Sequence, residues 1–164
     1  MSGQALIDGL KFAREQQCLH GELEIAALPR LEDELFERSG KVSFTLAGSI
    51  DRHGKPVLAV EVRGTLVLRC QRCLGRFDYE LARKSRLVLA APGQRLPEVG
   101  EEDPETEAVP AESVGDIADL IEQEVLLGLP IAPAHAEGSC STDAAVTTDR
   151  PASPFAALAK LKSP

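Results

Sequence analysis

The chain has no tryptophan, one tyrosine (Tyr79), one methionine and three histidines in 164 residues. The shortage of aromatics leaves Leu, Val, Ala and Ile to fill the core. No apolar run approaches the roughly 20 residues of a membrane-spanning helix. The start, Met1-Ser2-Gly3-Gln4-Ala5, has neither the basic region nor the apolar run of a signal peptide, so a cytoplasmic protein without membrane contact is expected. Catalytic constellations are also missing. His20, His53 and His135 stand in no nucleophile or base motif, and there is no Gly-rich phosphate loop. The carboxylates cluster without the apolar setting that tunes an acid–base pair. The residues therefore point away from an enzyme.

The most one-sided absence is of positive charge. Between Leu96 and Asp149 there is no Lys or Arg, while the same stretch holds 14 acidic residues. The remainder has 12 acids and 18 bases, so the net charge of −8 hides two opposed segments. Bases are densest from Arg63 to Arg95. A uniformly basic RNA-binding surface is excluded, but a local one is not.

Apolar periodicity predicts an α+β fold: a strongly bent antiparallel β-meander or small barrel, with short N-terminal helices and a C-terminal helix. Asp8 caps a first helix over Ile7 to Gln17, and Leu19 to Ile25 alternates as a strand. Pro29 to Phe36 reads as a short helix with Pro at its first position. Strands follow over Val42 to Ile50, Val57 to Arg69, and Phe77 onward through Leu89. In the second of these, Leu58, Val60, Val62, Leu66 and Leu68 share one face. Gly48 and Gly64 are expected at bulges or bends. An acidic loop covers 92–112, and Ser113-Val114-Gly115-Asp116 reads as a capping box for a helix to Leu127, with Asp119, Glu122 and Glu124 on its outer side. Residues 1–135 then form one domain, 136–152 a linker, and 153–164 a helical tail motif. In that tail Phe155, Leu158 and Leu161 are candidate partner-binding residues.

One motif carries chemistry. Cys70-Gln71-Arg72-Cys73 lies in the turn between two predicted strands. A two-residue spacer lets both sulfurs reach one tetrahedral ion, and a closed structural zinc site needs two further ligands. His135 and Cys140, after the long helix, are the candidates; Cys18 and His20 are weaker ones. A thioredoxin-like redox pair would need a βαβ setting that the pattern lacks. Zinc and unligated thiols both remain open. Arg63, Arg69, Arg72, Arg76 and Arg83 surround the motif and are candidates for phosphate contacts. Phe77 and Tyr79, two apart on one strand, are either core or a base-stacking pair.

Three blocks together resemble the bacterial YceD family, the large ribosomal RNA subunit accumulation proteins. They are Cys70-Gln71-Arg72-Cys73 before Phe77, the segment Ile117 to His135 with Cys140 after it, and Pro154-Phe155-Ala156-Ala157-Leu158-Ala159-Lys160-Leu161-Lys162. The resemblance covers about 57–162. The usual Asn before Pro-Phe is Ser153 here, which caps a helix equally well. The resemblance implies a non-enzymatic role in ribosome biogenesis, in accumulation of large-subunit (23S) ribosomal RNA, and brings no established catalytic site. Two partners follow as expectations. One is ribosomal RNA or a pre-50S particle, met by the basic Cys-x-x-Cys hairpin. The other is a basic large-subunit ribosomal protein, held by the acidic segment as by a chaperone.

Overall fold

A computed structural model of the chain describes residues 6–96 and 106–140. The tail residues Phe155, Leu158 and Leu161, and most of the expected linker, lie outside the described residues.

The strand pattern of β4 (Pro56–Arg69) organises the rest. Its Leu58, Val60, Val62, Leu66 and Leu68 are all buried on one face, as their period-two spacing predicts. β5 (Arg76–Ala90) pairs with it antiparallel and without a break, from Val57–Val88 to Arg69–Arg76. The result is a hairpin about 45 Å long, turning at residues 70–75. β3 (Lys41–Ile50) pairs antiparallel with β4, and β1 (Cys18–Glu24) with β3. β2 (Leu35–Glu37) adds to the tip end of β4, where Leu35 pairs with Leu68.

The sheet departs from a pure meander at one edge. β6 (Thr106–Pro110), within the expected acidic loop, pairs parallel with β5. The sheet is mixed and six-stranded: five strands follow the path β1-β3-β4-β5-β6 and β2 pairs with β4 off that path, and among the described residues no pairing of β1 with β6 closes it into a barrel. The α+β class holds.

Helices and turns cover one face. α1 (Gly9–Arg14) is capped by Asp8, which accepts from Lys11 N at 3.0 Å. Gly48 is no bulge, since β3 and β4 keep register through it. A side chain there would meet Phe12 O at 2.4 Å, so glycine lets α1 lie directly on β3. The expected helix over Pro29 to Phe36 is instead a single 3-10 turn, Pro29–Leu31, preceded by another at Ile25–Ala27, and its end belongs to β2, where Leu35 pairs with β4. α2 (Ile117–Gly128) starts later than expected. Asp116 is its cap, accepting from Ala118 N and Asp119 N, while Ser113 sits in a preceding 3-10 turn and bonds Pro110 O. Among the described residues no helix is long and apolar enough to cross a membrane.

Candidate metal centre and hairpin tip

Two features of α2 deliver the next segment to the hairpin tip. Tyr79 donates its hydroxyl to Gly128 O at 2.8 Å, and Gly128 lies so close to β5 that a side chain there would meet Leu81 at 2.5 Å. Pro130 and Pro133 then keep the chain from continuing as helix, and it bends at Leu129, Ile131 and Ala132. Gln71 N donates to Pro133 O at 2.9 Å, which sets this segment against the turn of the hairpin.

The turn itself is a tight knuckle. Leu74 N donates to Cys70 O and Cys70 N to Gly75 O, and Leu74 takes a positive φ of 60°. Main-chain N–H groups of Cys73, and further those of His135 and Arg72, point at the Cys70 sulfur. They lower its pKa to about 5, against the opposing effect of burial. Cys140 moves the other way: burial raises its pKa, assisted by hydrogen bonds with Cys70 and Cys73. The surrounding N–H groups thus favour the thiolate at Cys70, the form that ligates a cation, while burial favours the neutral thiol at Cys140.

Cys70, Cys73, His135 and Cys140 bring one ligand atom each to within 4.8 Å of one another. Cys70 Sγ is 3.8 Å from Cys140 Sγ; His135 Nδ1 is 3.5 Å from Cys73 Sγ and 3.8 Å from Cys140 Sγ. A tetrahedron with metal–sulfur bonds near 2.3 Å has edges of about 3.8 Å, so these spacings suit a zinc-sized ion. The far nitrogen of the imidazole fits the same donor set. His135 Nε2 lies 2.7 Å from Arg76 O, and a carbonyl only accepts, so Nε2 carries the proton and Nδ1 presents its lone pair. Phe77 packs edge-on against the same ring, with centroids 5.5 Å apart. When bound, the metal would supply cross-linking of two distant segments, with no open position for substrate. Cys18, exposed at the start of β1, and His20 are outside this group.

The five candidate arginines do not share one surface. Arg83 lies on the helix side of the sheet, where it donates from Nε to Glu124 at 2.8 Å. Arg63 pairs with Glu61 on the opposite face. Arg69, Arg72 and Arg76 stand at the tip. Arg76 holds Glu37 and Asp78 at 2.8 and 2.9 Å. Arg69 lies 5.3 Å above the Phe36 ring, and Arg72 donates to the carbonyls of His135 and Ala136. Among the described residues, neither Arg69 nor Arg72 has a carboxylate partner. Phe77 and Tyr79 are half-buried; Phe77 packs against His135 and Tyr79 bonds the last residue of α2.

A family model described as large ribosomal RNA subunit accumulation protein YceD matches residues 58–162. The chain belongs to the YceD family. Its family name carries a role in accumulation of large-subunit ribosomal RNA. The matched range contains all four candidate ligands, the five arginines, α2 and the tail, but not α1 or β1 to β3. No solved structure matches the chain.

Sequence reasoning missed the buried acids of this YceD-family protein. Glu122 and Glu124 do not face solvent; each is about 2% exposed. Glu122 accepts from Arg30 N and Arg30 Nε, both at 2.6 Å, and Arg30 also reaches Gln123 and Asp119 O. The sequence Ile121-Glu122-Gln123-Glu124-Val125 reads locally as a polar helix face, so nothing in it signals that both glutamates are buried.

Proposed function

We propose that this YceD-family protein is a non-enzymatic, cytoplasmic ribosome-assembly factor, and that its hairpin tip, pinned by zinc, contacts ribosomal RNA or a large-subunit precursor. The observation that carries the reading is the position of Arg69 and Arg72. Both flank the Cys3His group at the end of a long hairpin, and both lack a carboxylate partner among the described residues. Phosphates are the complementary ligand for such guanidinium groups. A rigid tip reduces the ordering cost of contact. Arg63 and Arg76 contribute less because acids already neutralise them, and Arg83 belongs to the α2 contact.

The acidic-chaperone reading has less support. It requires acids available to a basic protein, and three of the described acids of this segment are already engaged: Glu122 and Glu124 are buried in ion pairs and Asp116 caps α2, which leaves Glu107, Glu112 and Asp119 exposed.

Crosslinking from native cells, followed by a salt titration on large-subunit ribosomal RNA, tests the proposal. Affinity should fall steeply with salt, and Arg69→Ala with Arg72→Ala should reduce the logarithmic salt slope by about 1–2. Metal content serves as the folding control. Salt-independent binding, an unchanged slope, or crosslinks to a ribosomal protein alone would overturn it.

A further inference from the structure

A groove of about 610 Å³ runs between α2 and β6. Its floor is apolar, formed by Leu87, Val109, Leu120 and Leu127, and Leu127 is 47% exposed. Glu107 and Asp119 stand at its rim, and neither forms a salt bridge among the described residues. Arg30 and Glu124 also line it, but they are held by Glu122 and Arg83. An apolar floor with two uncompensated negative charges fits an amphipathic helix with basic residues near one end.

The chain carries such a segment. Ser153 and Pro154 are suited to begin a helix, Phe155, Leu158 and Leu161 recur every third residue, and Lys160 and Lys162 follow at its end. Residues 141–152 separate it from Cys140, a span that reaches up to about 40 Å. α2 is only about 18 Å long, and its last turn, with Leu127, leads directly into the metal-centre segment. The family match also runs without a break through both groove walls and this segment.

We propose that the chain's own residues 153–162 dock as a helix in this groove, with Phe155, Leu158 and Leu161 on its floor and Lys160 and Lys162 at the Glu107–Asp119 rim. The tether holds the segment at roughly millimolar effective concentration, so modest contacts suffice.

Carbodiimide crosslinking of the dilute full-length protein, read by mass spectrometry, tests the arrangement. Lys160 or Lys162 should couple to Glu107 or Asp119 within one chain. Phe155→Asp, in the tail, and Leu127→Asp, in the groove, should each suppress that product and speed tryptic cleavage after Lys160 by about tenfold or more. Metal content and circular dichroism identify a variant whose domain has failed to fold; Phe155→Asp alters no described residue. A mixture of isotopically heavy and light chains distinguishes the source of the tail. Mixed-mass products would assign the groove to a second copy and overturn the proposal. Absence of the crosslink, with equal cleavage rates in parent and variants, would overturn it as well.

Discussion

Cys70 Sγ and Cys140 Sγ lie 3.8 Å apart although 70 residues separate them. A disulfide would bring them to about 2.0 Å, whereas shared ligation of one ion leaves them near the observed distance. The cross-link would join the β4–β5 turn to the chain that leaves α2, and so determine how the tip arginines are presented. Untagged protein should contain one zinc per chain by elemental analysis. Less than about a tenth of an equivalent would end the assignment. Cys140→Ser should weaken binding by more than the roughly 10–100-fold of second-shell changes. Chelation should lower the thermal midpoint by about 10 °C.

The pair Arg30–Glu122 should matter more to folding than its position near the surface suggests. Glu122 is buried, and Arg30 supplies both a main-chain and a side-chain donor. Removing the guanidinium leaves the carboxylate with only the main-chain bond. Arg30→Ala should destabilise by about 2–3 kcal/mol, less than for a fully enclosed pair because water reaches the arginine. The denaturation midpoint reads this. Glu122→Gln should cost less, since the amide oxygen still accepts. Equal stability of all three proteins would mean that the pair contributes nothing.

Some of this was legible in sequence and some was not, for physical reasons. The alternation along Val57 to Arg69 specified which face of β4 is buried, because a one-residue slip would expose all five apolar side chains. Cys70 and Cys73 were legible as a possible half of a metal site, with free thiols as the open alternative, because the spacing allows both sulfurs to converge. His135 and Cys140 were legible as partners only as types, and the fold brings them together. Glu122 and Glu124 were not legible. Their partners, Arg30 and Arg83, lie 92 and 41 residues away, and helix periodicity carries no trace of such pairing. β6 was hidden because Thr106–Pro110 is short, acidic and ends in proline, so only its register with β5 makes it a strand.

Gly48 and Gly54 should both resist alanine, for different reasons and to different degrees. At Gly48 a Cβ would stand 2.4 Å from Phe12 O and 2.8 Å from Ala13 Cα, both main-chain atoms that cannot rotate away. Gly48→Ala should therefore cost about 2–3 kcal/mol as α1 is forced off β3. Gly54 faces open space but has a φ of 75°. Gly54→Ala should cost about 1 kcal/mol, and Gly54→Asn less, because Asn tolerates that conformation. Urea titration separates the two cases; a larger loss at Gly54 would refute the packing argument.

Asp51 predicts an acid-side change in stability. It accepts from the main-chain N–H groups of Lys55 and His53, at 2.9 and 2.7 Å, in the turn between β3 and β4. The Lys55 N–H is the larger cause, and together they hold its pKa below the ordinary 3.8. A carboxyl whose folded pKa is depressed stabilises the fold above its unfolded pKa and loses that contribution as pH falls through the folded one. The Asp51 contribution should thus be fully present at neutral pH and decline below about pH 4. Asp51→Asn keeps an acceptor but removes the titration. The stability difference between parent and variant should shrink on acidification across that window and stay constant from pH 5 to 7. A difference that remains flat through the acid range would show that the two N–H groups do not favour the carboxylate.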